Sequence, residues 1–272
     1  MSDLNDKGKG QSRRRILKAV GTSLVAGAGI VGMSGTAMAG NCDSFMDAPS
    51  DFPYVKDGKK YGDYPKKASE VTYFIHGWNV GSVELAQDQA YTCKKALEQN
   101  GYTKPVVAVR WPSDTLTWAG GKDNANEAGH MWADFVRKEN NKKDTIRSIG
   151  HSLGARVTCV ALEDLHDEYG ETYTSADLIG GAIEQDFPAK EGHWGDDIAG
   201  AVGQFHNYFN EDDQVLDDTF QTRELDAAVG EEGLDGTPVH NYTDVDVTDQ
   251  VDAHCDYFRP DIGCMDRVVA NW

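Results

Sequence analysis

From residue 71 onward, short apolar and β-branched runs alternate with stretches in which apolar residues return every three or four positions. A compact apolar run reads as a buried strand, and a period near 3.6 reads as a helix. The runs place strands near 71–75, 105–110, 145–150, 177–182, 204–209 and 239–245. Helices are expected from Val83 to Asn100, capped by Ser82 and stopped by Gly101, from Asn124 to Arg137, from Ala155 to Tyr169, and at the terminus over 262–271. Strands alternating with helices pack as a parallel sheet covered on both faces. The expected fold is therefore α/β, a three-layer α/β/α sandwich on a mostly parallel six-stranded sheet. Residues 40–70 contain Pro49, Pro53, Pro65 and several glycines without alternation, so they are expected to form an irregular arm with no leading hairpin. The stretches 184–203 and 217–238 are glycine-rich and acidic, too short for a cap domain and of a size to act as small lids.

The first 39 residues follow a different pattern. Ser12-Arg13-Arg14-Arg15-Ile16-Leu17-Lys18 resembles the twin-arginine export signal, a glycine-rich apolar stretch runs from Ala19 to Gly35, and Ala37-Met38-Ala39 offers a small-x-small cleavage site. The stretch has too few bulky apolar residues to hold in a bilayer, whose core takes about 20. A mature chain beginning at Gly40, secreted by the twin-arginine machinery to the exterior or cell surface without stable membrane insertion, is the expectation. The organisation is then a signal at 1–39, an arm at 40–70 and one domain at 71–272.

Charge narrows the partners. The chain carries a formal charge of -19, and residues 1–39 hold six basic and two acidic side chains, so the remainder stands at -23. Such a field repels nucleic acid and anionic membranes, which excludes both as partners. It also opposes compaction at low salt, an opposition that salt screens. The composition resembles that of secreted proteins from salt-loving archaea. Five cysteines leave an odd thiol in an oxidising exterior. Cys159, on the helix after residue 154, is expected to stay buried and reduced; the other four allow three pairings, of which Cys255 with Cys264, bracing the loop that holds His254, is favoured.

The densest chemistry lies in Gly150-His151-Ser152-Leu153-Gly154, set between a strand and a helix. A serine hydroxyl becomes a nucleophile when a tight turn exposes it, a base takes its proton and backbone donors receive the oxyanion. Glycines at both ends leave room for that turn. The strand 71–75 runs into His76-Gly77-Trp78-Asn79, where a loop can turn a backbone N–H toward Ser152. Ile75-His76-Gly77-Trp78 and Ile149-Gly150-His151-Ser152-Leu153-Gly154-Ala155 resemble the corresponding motifs of the alpha/beta hydrolase superfamily, secreted lipases and esterases especially, here in a minimal form without a large cap.

That resemblance implies an acid after a later strand and a histidine after the last, in that order. Asp213, in Asp213-Gln214-Val215-Leu216, is the expected acid, with Asp212 and Asp186 as alternatives. His254, in the loop beyond the last strand, is the expected base, while His240 lies at that strand's wrong end. Trp78 and Leu153 are the expected oxyanion donors. His76 and His151 are given supporting roles, backbone positioning and packing beside the turn. Trp111 and Trp118 are candidates for lining an apolar pocket. No metal motif or nucleotide fingerprint is present, so no cofactor is expected. The function implied is cleavage of a small-molecule or lipid carboxylic ester. A peptidase or thioesterase on the same frame, or a non-catalytic binding protein that kept it, is the alternative.

Overall fold

The computed structural model describes residues 42, 44–140, 142–169 and 173–272; the expected signal at 1–39 lies outside them. The described chain runs β1 (Tyr54–Lys56), β2 (Lys59–Tyr61), β3 (Glu70–Ile75), α1 (Val83–Gln99), β4 (Val106–Arg110), α2 (Trp118–Asn140), β5 (Thr145–His151) and α3 (Gly154–Asp164). There follow β6 (Tyr173–Ile179), α4 (Gly195–Ala201), β7 (Val202–Phe209), α5 (Thr222–Glu224), α6 (Val229–Glu232), β8 (Tyr242–Asp246) and α7 (Met265–Ala270). One sheet takes all the strands in the order β2-β1-β4-β3-β5-β6-β7-β8. Every pairing is parallel except the β1–β2 hairpin.

Side-chain alternation builds the layers. Val71, Tyr73 and Ile75 of β3 join a core with α2, α3 and α4, whereas Phe74 joins the opposite core with α1 and α7. The central strands are thus apolar on both faces, as a doubly covered parallel sheet requires. The predicted N-cap of α1 forms, with Ser82 Oγ accepting the Leu85 N–H at 3.0 Å. Gly101 follows α1 at a φ of 90°, a conformation that suits glycine just past a helix end.

The fold class is as the pattern implied, but among the described residues the sheet has eight strands and not six. Both extra strands lie in the segment expected to be irregular. Asp57 and Gly58 have φ of 50° and 67°, the paired positive values of the tight two-residue turn that Asp-Gly favours between antiparallel strands. Tyr54 and Tyr61 stack across it at 4.8 Å. The strand expected at 177–182 starts at Tyr173, because Ser175 and Asp177 are buried polar residues that hide its pattern.

The disulfide also differs from expectation. Cys255 pairs with Cys42, with Cα atoms 5.3 Å apart. Cys264 is free and buried, its thiol donating toward the Tyr257 carbonyl at 3.5 Å inside the α1/α7 core. The partner chosen therefore comes from the arm, which packs on α1 through Met46 N–H to Thr92 Oγ1 and Ala48 N–H to Asp88 Oδ1, both 2.8 Å. Cys159 is buried and free, as expected. Among the described residues no helix is long and apolar enough to cross a membrane.

Candidate active site

β5 delivers Ser152 into a turn two residues before α3 begins. Ser152 has a φ of 54°, a left-handed conformation that costs a side-chain-bearing residue on the order of 1–2 kcal/mol. Neighbouring backbone holds it there. Ser152 N–H donates to the Ile179 carbonyl at 3.2 Å, and the Ser152 carbonyl accepts from Ala155 and Ala182 N–H, both at 3.0 Å. Close approach explains the glycines. A Cβ on Gly154 would collide with the Ile75 carbonyl, and one on Gly77 would stand 2.7 Å from Ser152 Cβ.

The loop after β3 is fixed by a buried histidine. His76 Nδ1 lies 2.9 Å from the Gly77 carbonyl and Nε2 3.4 Å from the Trp111 N–H, a pattern that needs the neutral ring with its proton on Nδ1. Burial lowers its pKa to about 3, because an imidazolium here would lose its hydration. Trp111 stacks on the ring at 5.4 Å and donates its indole N–H to the His76 carbonyl at 2.8 Å. Among the described residues, neither the Trp78 nor the Leu153 backbone N–H donates to any acceptor.

The loop after β7 carries Asp213, and the loop after β8 carries His254. Asp213 Oδ2 lies 2.7 Å from His254 Nδ1. The other oxygen, Oδ1, accepts Val215 N–H at 3.1 Å and Leu216 N–H at 3.3 Å, and Tyr257 hydroxyl donates to Oδ2 at 3.2 Å. Burial alone would raise this carboxyl; the neighbouring imidazole, its hydrogen bond and the Leu216 N–H outweigh that and hold it below the usual carboxylate range. An ionised Asp213 accepts a hydrogen bond from the Nδ1–H of His254, which leaves Nε2 as an acceptor. Nε2 is buried and has no partner among the described residues. Beside it, His151 Nε2 meets the His254 carbonyl at 2.8 Å. Burial, then the adjacent His254, lower the His151 pKa to about 3.

Ser152, His254, Gly77 and Trp78 share the lining of one cavity of about 230 Å³. Val80, Leu85, Trp118, Leu216 and Phe220 give it an apolar wall, and the Cys42–Cys255 disulfide closes part of it. Trp118 thus lines the pocket, whereas Trp111 backs the His76 loop. Of the two acidic stretches weighed as lids, the second supplies Thr219 and Phe220 to the lining and the first supplies nothing. Asp212 and Asp186 are exposed and make no bond to His254, so the structure brings Asp213 to it and not the alternatives. Tyr257 also reaches the acid through its hydroxyl; its position three residues after His254 is the available signal. Among the described residues the one His/Asp cluster of metal-binding size is His166, Asp167 and Asp197, where His166 Nδ1 is 2.9 Å from Asp197 and none of the three lines the cavity.

A family model described as "Protein of unknown function (DUF726)" matches residues 77–268. The chain belongs to this DUF726 family. The matched region opens at Gly77 beside Ser152 and closes within α7, so it holds Ser152, Asp213 and His254 while omitting the β1–β2 hairpin. A curated relative, the transmembrane and coiled-coil domain-containing protein STS1 of Oryza sativa subsp. japonica, is 29% identical over 177 residues. That match covers 61% of this DUF726 chain but 26% of the rice protein, so the chain spans about a quarter of its relative's length. Solved structures with some likeness include an esterase of Pyrobaculum calidifontis, with 15% identity, 77% of each chain covered and a TM-score of 0.40. Carboxyl esterase 2 of Tuber melanosporum gives 12% identity, 75% and 78% coverage and 0.41. A structure from the metagenome-derived lipolytic enzymes LipS and LipT gives 14%, 83% and 98%, and 0.43. These likenesses are weak, and the fold is defined by the sheet topology itself.

Proposed function

We propose that this chain is a serine hydrolase that cleaves carboxylic esters through an acyl-enzyme. The observation that carries the reading is the two-sided engagement of His254. Its Nδ1 is held by a buried carboxylate, and its unpartnered Nε2 belongs to the same cavity as a strained serine. In the proposed cycle Ser152 Oγ attacks the ester carbonyl while His254 Nε2 takes its proton, and Asp213 steadies the imidazolium. The oxyanion is received by the Trp78 and Leu153 N–H groups, each worth roughly 3–4 kcal/mol of barrier. Collapse breaks the ester C–O bond, and His254 returns the proton to the departing alcohol. Water then attacks the acyl-enzyme by the same relay and releases the acid with Ser152 restored.

A small, largely apolar cavity supports esters of modest size, whether soluble or lipid-derived. Residues 1–39 support export by the twin-arginine route to the outside of the cell, and the acidic composition supports function in high salt. A panel of p-nitrophenyl esters, matched thioesters and p-nitroanilides, assayed in molar salt, tests the reaction class. Ester turnover that disappears in Ser152→Ala is expected. Turnover confined to anilides or thioesters would replace the esterase reading with the peptidase or thioesterase one, and none at all on folded protein would leave a binding role.

A further inference from the structure

Among the residues that line the cavity, two carry a buried polar side-chain atom without a hydrogen-bond partner in the described structure, His254 Nε2 and Gln89 Oε1. Proton transfer accounts for the first. Nothing in the proposed cycle uses the second. Gln89 is 5% exposed and stands on α1 one turn after Leu85, which lines the same cavity. The polar neighbours on that helix are engaged with the arm: Asp88 and Thr92 accept its backbone N–H groups, and Gln87 Nε2 donates to the Phe52 carbonyl at 2.6 Å. An unpaired buried amide oxygen is destabilising, and an apolar side chain would complete this wall without that cost. Sparse polar groups in an apolar pocket are what orient a ligand.

We infer that Gln89 is a specificity-determining residue that selects neutral esters bearing a hydroxyl on the portion held against α1. The word ester rests on the hydrolase reading above; the hydroxyl rests on the cavity. Among the described residues no Asp, Glu, Lys or Arg lines it, so a charged group would enter without a counter-charge. A hydroxyl also satisfies either end of the amide, donating to Oε1 or accepting from Nε2. An unsubstituted acyl chain would leave the amide unpaired, and sites built around a polar partner discriminate against analogues lacking it.

The test compares p-nitrophenyl butyrate with its 2-hydroxy and 3-hydroxy analogues on the wild type and on Gln89→Leu. The expected result is a kcat/KM for at least one hydroxylated ester about tenfold above butyrate, which is 1.4 kcal/mol. Gln89→Leu should lower that value about tenfold while raising the value for butyrate, so the preference crosses over. Gln89→Met, of the same length, serves if the leucine variant does not fold. A wild type that prefers butyrate over both analogues, or a variant that scales all three equally, overturns the inference. Binding to Ser152→Ala, read by quenching of tryptophan fluorescence from the cavity's Trp78 and Trp118 with methyl butyrate and the methyl hydroxybutyrates, separates the two claims. Hydroxyl preference in binding without any hydrolysis removes the hydrolase reading alone, and hydrolysis without that preference removes the Gln89 inference alone. No preference in either assay removes the inference as well.

Discussion

Asp213 is 1% exposed and its carboxylate meets four donors, the His254 and Tyr257 side chains and the Val215 and Leu216 N–H groups. Replacing it with asparagine preserves the shape but lets the amide donate toward His254, favouring the tautomer with Nε2 protonated. We expect Asp213→Asn to lower kcat on the order of 10⁴-fold, the loss seen when a serine hydrolase triad loses its carboxylate, with KM nearly unchanged. The depressed pKa has a stability consequence of definite sign. A folded value below the unfolded value of about 3.9 stabilises the protein above that pH, and the stabilisation is lost as pH falls through the folded value. Unfolding followed below pH 4 should therefore show a shallower acid loss in Asp213→Asn than in the wild type. The choice of Asp213 over Asp212 was legible because the acid-x-apolar-apolar form predicts which of two adjacent carboxylates turns inward. Gln89 was not legible, since nothing in a helical pattern distinguishes a glutamine facing a cavity from one facing water.

At the level of elements, the second acidic stretch holds a pH-dependent joint. Glu231 of α6 is buried, its Oε1 accepts Gln221 Nε2 at 2.7 Å, and Oε2 has no partner among the described residues. Burial raises its pKa to about 7. With an unfolded value of about 4.3, the folded state binds more protons between the two, so stability falls as pH rises from about 4 through 7. Glu231→Gln should abolish that fall, leaving the melting temperature similar at pH 4 and higher than that of the wild type at pH 8. A variant that melts lower than wild type at pH 8 would contradict this. Strand and helix order could be read because buried central strands are continuous apolar runs. The β1–β2 hairpin escaped because its strands are three residues long and lysine-rich, although Asp57-Gly58 carried the turn signal. The disulfide escaped because spacing does not specify connectivity, and an irregular arm gave no hint that Cys42 crosses to Cys255.

For the whole molecule, the parallel sheet gathers the loops after β3, β5, β7 and β8 at the strands' carboxyl ends, where open α/β sheets place their sites. Ser152, Asp213 and His254 are dispersed in sequence, and topology explains how Asp213 pairs with His254 beside the cavity that Ser152 and His254 line. The excess of acidic residues acts on the same scale. Self-repulsion at a net charge of -19 is weakly screened at 0.1 M salt, where the Debye length is about 10 Å, and strongly at 1 M, where it is about 3 Å. The melting temperature should rise steadily over that range, and a flat or falling trend would show that surface charge does not limit stability. The central claim is that Ser152 is an activated nucleophile, and its most direct test is covalent. A fluorophosphonate probe offered in molar salt should add once, with loss of fluoride, on the peptide containing Ser152, and fail to add to Ser152→Ala. Folded wild-type protein that stays unlabelled, or a serine-to-alanine variant that labels equally well, would contradict it.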